Sequence, residues 1–159
     1  MTDESGPDFP LAHIGFVVKD IDKAYKQWTT SGAKPFIAPE LDPVQKVWCA
    51  LVGYPGTAPI ELVAPANTID SPALGRLKRG GGLDHLCYFV DDVAVGCETL
   101  QARGGLLVVP PVYGVVFDRT IAFLMMRTGL TIELMARQPA GEKADDPLAS
   151  YFAATGEPS

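Results

Sequence analysis

The amino-acid sequence predicts an α+β fold made of two tandem βαβββ modules. Three observations carry that prediction. The chain has two histidines, His13 and His85, 72 residues apart. Sliding the chain by that interval lays LAHIGFVVKDIDKAYKQWTTSGAKPFIAP over LDHLCYFVDDVAVGCETLQARGGLLVVPP without a gap, so that Leu11 meets Leu83, Asp20 meets Asp92 and Gly32 meets Gly104. The same offset carries IELVAP (60–65) onto IELMAR (132–137), which sets Glu61 on Glu133 and makes the His-to-Glu interval 48 positions in each half. Apolar matches arise between any two strands. Sole histidines and strand-embedded glutamates on one offset mark a duplicated unit. The 159 residues suit a single domain, given the roughly 100–200 residues usual for one. Within it we place module 1 at 10–66, a linker helix within 67–81, module 2 at 82–137 and a C-terminal tail at 138–159.

Each module repeats one pattern. Residues 11–18 and 83–90 are apolar and β-rich and read as strands. Asp20 and Asp92 stand at N-cap positions before segments with helical spacing, such as Ile21, Ala24, Tyr25 and Trp28. Gly32 and Gly104 end those helices. Three strands follow near 34–38, 46–53 and 59–64, and again near 106–109, 119–126 and 130–136. Between the modules, Ser71 is a helix cap with Pro72 at the first helical position, and the short helix 72–79 runs into the hinge Gly80–Gly82. The tail is polar, with one or two helical turns expected around Pro147–Ala154, packed on the surface or on a partner subunit. We read no chemistry in it.

Composition removes several functions. Lys and Arg total 13 against 19 Asp and Glu, a formal net charge of −6. Nucleic acid and anionic membranes both select basic surfaces, so neither is an expected partner. With 47% hydrophobic and 20% charged residues, the chain has the apolar content for a core. Cys49, Cys87 and Cys97 are an odd number without paired spacing, which argues against a disulfide framework and for a reducing, cytoplasmic setting. The opening MTDESGPDFP is acidic and lacks the apolar core of a signal peptide. No apolar run approaches the ~20 residues of a membrane span.

The chemistry lies in the repeat. Strand alternation puts His13 on one face with Gly15 and Val17, and His85 with Cys87 and Phe89; Glu61 shares a face with Val63 and Glu133 with Met135. Taken singly, a buried histidine is commonly a hydrogen-bonded core residue, and a glutamate within IEL the exposed member of an alternating strand. Together, two imidazoles and two carboxylates related by a repeat can converge on one point, and a carboxylate in so apolar a segment needs a partner or a cation. Such nitrogen and oxygen ligands suit a divalent first-row metal ion: Co, Ni, Zn, Mn or Fe.

At these residues the chain resembles the vicinal oxygen chelate superfamily (glyoxalase, bleomycin resistance protein and dioxygenase relatives) from Leu11 to Arg137. The resemblance implies a cup-shaped, mostly antiparallel sheet around a metal held by His13, Glu61, His85 and Glu133. That ligand set is like bacterial glyoxalase I. The connecting stretch, with its DSP helix and Gly-rich turn before the second histidine, is more similar to methylmalonyl-CoA epimerases. The implied chemistry is proton abstraction next to a carbonyl, with Glu133 as ligand and base, acting on a small acyl substrate such as a CoA thioester. A homodimer is common among such proteins.

The chain also departs from the epimerase pattern. Cys49 stands where we align the second acid/base carboxylate, in Val44-Gln45-Lys46-Val47-Trp48-Cys49. Its thiol, with a reference pKa of ~8.5, is a weaker proton shuttle. Nearby Glu40 and Asp42 read as a solvated loop. The segment 122–127 lacks the epimerases' His-Pro pair. Gln45, Cys87 and Arg119 are candidate substrate contacts, Arg119 through a bidentate grip on a carboxylate. Arg76, Lys78 and Arg79 could meet phosphates but read first as a solvated basic face, and Trp48, Tyr54, Tyr113 and Phe117 could line a pocket. The expected activity is therefore a metal-dependent isomerase or epimerase. The alternatives are a secondary-metabolite lyase or isomerase, a glyoxalase I-like enzyme, a dioxygenase, or a non-catalytic ligand-sequestering resistance protein.

Overall fold

The computed structural model describes residues 9–156; the acidic opening residues 1–8 and the last three residues lie outside that range. The element order is β1 (Leu11–Val17), α1 (Ile21–Thr30), β2 (Lys34–Asp42), β3 (Val47–Gly53), β4 (Ile60–Pro65), α2 (Leu74–Lys78), β5 (Gly82–Val90), α3 (Val93–Ala102), β6 (Leu106–Gly114), β7 (Arg119–Met125), β8 (Thr131–Ala136) and α4 (Ala149–Thr155). The strands form one 8-stranded mixed sheet in the order β2-β3-β4-β1-β5-β8-β7-β6. Its two halves mirror one another about the antiparallel β1–β5 pair, and β1–β4 and β5–β8 are the parallel pairs.

The 72-residue offset holds at the level of register. Ile14 pairs with Ile60 and Gly15 with Glu61 in the first half; Leu86 pairs with Ile132 and Cys87 with Glu133 in the second. The helices begin where the aspartates predict. Asp20 accepts from Lys23 N and Asp92 from Val95 N, each 3.0 Å away, satisfying an amide that a helix start leaves unpaired.

Alternation divides the core. Ala50, Val52, Leu62 and Ala64 pack with α1, and Ala122, Leu124 and Leu134 with α3, on the outer face of the sheet. On the inner face Val17, Cys49, Leu51, Val63, Cys87, Phe89, Ile121 and Met135 form one cluster, which also takes Leu148, Tyr151 and Phe152.

Three expectations change. The edge strands β2 and β6 run to Asp42 and Gly114, well past the predicted ends. Both extensions carry prolines, Pro39 and Pro110-Pro111, which an edge strand tolerates, and register shifts in both edge pairs absorb the irregularity. The linker helix is shorter than predicted. Ser71 is no side-chain cap: its carbonyl receives Leu74 N, while its buried Oγ has no partner and the cap position falls on Ala73. The tail, read as peripheral, seals the inner face, where Tyr151 and Phe152 pack against Phe89. No helix among the described residues is long and apolar enough to cross a membrane.

Candidate metal centre and its cavity

The four central strands carry the site. Gly15, two residues after His13, is in register with Glu61 on one side and His85 on the other. Cys87, two residues after His85, likewise stands between Glu133 and His13. Each histidine therefore meets the glutamate of the other module as well as its own. Gly15 also makes room: a Cβ there would lie 2.1 Å from His85 Cε1. A glycine inside a strand is the sequence sign of such close approach, and the sequence reading passed over it.

One ligand-type atom from each of His13, Glu61, His85 and Glu133 lies within 4.8 Å of the others, and all four residues are buried. Nε2 of each histidine is 3.0 Å from Oε2 of both glutamates, and the two Nε2 atoms are 3.3 Å apart. Phe117 lies flat on the His13 ring at 5.4 Å, and Phe123 meets the His85 ring edge-on at 5.5 Å.

This arrangement attracts positive charge. Burial alone would lower the His13 pKa, but the Glu61 charge and hydrogen bonds to Glu133 and Glu61 outweigh it and raise it to about 9. His85 is driven well up in the same way, with Asp84 and the two glutamates overcoming burial. For Glu61 and Glu133 burial pushes upward, yet the two imidazoles hold both carboxyls below the ordinary value. Two nitrogens and two carboxylate oxygens converging in a dry place fit a divalent first-row cation by donor chemistry.

Glu61, His85 and Glu133 open onto a cavity of about 240 Å³, while His13 lies beneath Phe117. Apolar walls come from Val47, Val63, Val108, Val116, Ile121 and Phe123; Gln45, Cys49, Asp42 and Asp84 add polar groups, and no lysine or arginine lines the cavity among the described residues.

The candidate substrate contacts separate here. Gln45 and Cys49 line the cavity. Burial first, then the Glu61 charge and hydrogen bond, push the Cys49 thiol well up, so it stays protonated at neutral pH. Cys87 faces the same side but is fully buried in the core and does not line the cavity. Arg119 corrects the reading given to it. It is fully buried with its donors already committed: Nη1 and Nη2 bond Asp146 (2.8 and 3.0 Å), Nη1 also donates to the Phe117 carbonyl, and Nε to the Arg137 carbonyl. It anchors the tail rather than a substrate. Asp42 corrects a second expectation. It is no solvated-loop residue; it accepts from the amides of Val44, Gln45 and Val115 and from Gln45 Nε2, which joins the β2–β3 turn to the β6–β7 turn. Trp48 belongs to the outer face, beside the groove at α1.

The glyoxalase/bleomycin resistance protein/dioxygenase superfamily model matches residues 12–123. An ethylmalonyl-CoA/methylmalonyl-CoA epimerase of Cereibacter sphaeroides is 30% identical over 96 residues, 59% of this chain and 70% of that protein. The crystal structure of methylmalonyl-CoA epimerase from Mycobacterium tuberculosis aligns with a TM-score of 0.71 at 29% identity, covering 82% of this chain and 89% of that one. A Streptomyces coelicolor methylmalonyl-CoA epimerase variant, solved with 2-nitronate-propionyl-CoA, shares the fold at a TM-score of 0.70 and 23% identity, covering 80% and 96%. With matching register in both modules and a family match spanning the first module and most of the second, this chain belongs to the glyoxalase/bleomycin resistance protein/dioxygenase superfamily.

Proposed function

We propose that the protein is a divalent-metal-dependent epimerase or isomerase that removes a proton next to the carbonyl of a small acyl thioester, in the manner of methylmalonyl-CoA epimerase. The observation that carries this reading is the buried His13/Glu61/His85/Glu133 cluster, three of whose members open onto a cavity with mostly apolar walls. The named epimerase relatives support the acyl-CoA class. His13, Glu61, His85 and Glu133 would hold the metal, whose Lewis acidity beside a carbonyl oxygen lowers the cost of enolate charge.

The chain's own groups supply the rest. Glu133 is the base: its carboxylate opens onto the cavity, and the imidazoles beside it keep it ionised at neutral pH. Inversion needs a proton donor on the other side of the planar enolate. Cys49 opens onto the same cavity from β3 and keeps its S–H, so it serves as that donor. The valines, Ile121 and Phe123 exclude water from the reacting carbon.

The test is exchange of the α-hydrogen of methylmalonyl-CoA in deuterated water by metal-loaded protein, followed by NMR. Exchange is expected for the wild type, with a loss of at least about 100-fold in Glu133→Gln, the usual weight of a positioned acid–base group. Exchange no faster than in the variant overturns the epimerase reading. A glyoxalase I-like activity is the second reading. It is favoured by one observation: without a lysine or arginine on its wall, the cavity suits an uncharged head group. Hemithioacetal turnover without methylmalonyl-CoA exchange would select it.

A further inference from the structure

The two histidines of the cluster are held differently. On β5, Asp84 precedes His85, and its Oδ2 lies 2.8 Å from His85 Nδ1. The carboxylate is one-third exposed and sits on the cavity wall, whereas the His85 ring is buried. The repeat puts Ala12 at the equivalent position in module 1, so His13 has no carboxylate before it; the face of its ring rests on Phe117 instead.

A neutral imidazole carries one N–H. When His85 donates that hydrogen from Nδ1 to Asp84, Nε2 keeps its lone pair, and Nε2 is the atom that faces Glu61 and Glu133. We infer that Asp84 is a positioning residue that fixes His85 as the Nδ1–H tautomer and aims Nε2 at the cation, making His85 the stronger of two unequal imidazole ligands. This rests on the metal-centre reading above. A metal-binding imidazole gains basicity and a fixed ring orientation by donating its other N–H to a carboxylate, and the duplicated scaffold provides that partner in module 2 alone.

Zinc affinity is measured by chelator competition on the full chain, and the side-chain nitrogens of the zinc-loaded protein are followed by 15N–1H NMR. The wild type is expected to show a downfield, slowly exchanging His85 Nδ1–H. Asp84→Ala should lose that signal's protection and weaken zinc binding about 10- to 100-fold, the usual cost of removing such a partner. Asp84→Asn, whose amide oxygen still accepts the hydrogen, should keep the signal and lose less affinity. A wild-type spectrum with the hydrogen on Nε2, or an Asp84→Ala protein binding zinc within twofold of wild type, overturns the inference. Zinc-binding failure in the wild type itself would instead overturn the metal-centre reading beneath it. Circular dichroism of the metal-free proteins shows that each variant is folded, and the wild-type spectrum decides the matter even if one is not.

Discussion

Module 1 and module 2 share a backbone pattern and divide the labour of the site unequally. Each supplies a histidine from its first strand and a glutamate from its last, at one sequence interval and in one register. Around those four residues the correspondence stops. Gly15 answers to Cys87, Ala12 to Asp84, Gln45 to Phe117, Cys49 to Ile121 and Val47 to Arg119. Duplication thus preserves what binds positive charge, while the walls diverge into a polar side, with Gln45 and Cys49, and an apolar side, with Phe117 and Ile121. The epimerase reading proposed above calls for such asymmetry, since two identical halves would present the same groups to both faces of an enolate.

The largest break in the comparison is expected at Gly15 and Cys87, the residues wedged between a histidine and a glutamate. Gly15→Val places atoms where the His85 ring lies. It should weaken zinc binding by at least about 100-fold through the displaced ligand and cost roughly 1–3 kcal/mol through overpacking. Cys87→Ala removes a sulfur from the core without placing new atoms against a ligand ring, so it should keep zinc affinity within a few-fold. Equal losses in a zinc competition assay would show that the two wedges are equivalent.

Arg119 against Val47 gives the next effect. Module 2 turns this position into an anchor for the tail, and Asp146 is the partner that makes a fully buried guanidinium tolerable. Asp146→Ala should cost about 3 kcal/mol, the low end for breaking a buried pair, and lower Tm by roughly 6–12 °C at the usual scaling for this size. Burial pushes the Asp146 carboxyl up, but the Arg119 and Leu148 hydrogen bonds outweigh it and leave the pKa lowered. A lowered folded pKa means the stabilisation is present above the unfolded value of about 3.9 and fades as pH falls through the folded one. Urea midpoints between pH 7 and pH 2 should therefore fall less steeply in Asp146→Asn than in the wild type.

The sequence announced what the repeat preserves and hid what diverged. The βαβββ order, the caps at Asp20 and Asp92 and the His/Glu set were all legible, because alternation, capping and a shared offset are local or periodic signals. Gly15 offered a signal, glycine inside a strand, that went unused. Arg119, Asp42 and Asp84 offered none. Arg119 meets Asp146 27 positions later, and Asp42 meets Val115 73 positions later. Such pairs depend on how the tail and the turns fold back, which neither periodicity nor composition encodes. Asp84 is next to His85 in sequence, but only the ring orientation shows that its carboxylate reaches Nδ1.

Cys49 against Ile121 sharpens the comparison at the level of chemistry. If Cys49 returns the proton on the second face, Cys49→Ala should leave α-hydrogen exchange within a few-fold while slowing inversion about tenfold or more. Ile121→Ala should instead cost about 2–5 kcal/mol of stability from the cavity it opens, with exchange and inversion falling together. Both rates come from one experiment, NMR for deuterium and a chiral assay for configuration. A Cys49→Ala enzyme that inverts as fast as it exchanges would remove the thiol from the mechanism.

The smallest effect isolates backbone from site. Lys46 and Asp118 occupy equivalent turn positions, and both have positive φ, 60° and 53°. That conformation costs a side-chain-bearing residue about 1–2 kcal/mol relative to glycine, less for Asp. Lys46 has only an exposed, solvent-screened ion pair with Asp70 to set against that cost. Lys46→Gly should therefore be neutral or stabilising by up to about 1 kcal/mol, read as a small rise in the urea midpoint. Asp118→Gly should go the other way. Its carboxylate accepts from the amides of Gly141, Glu142 and Lys143 and from the Tyr113 hydroxyl, so relief of strain is outweighed by the loss of the tail's tether. Opposite signs at two positions with one backbone geometry would locate the difference between the modules in what the side chains hold. Equal signs would return it to the turn itself.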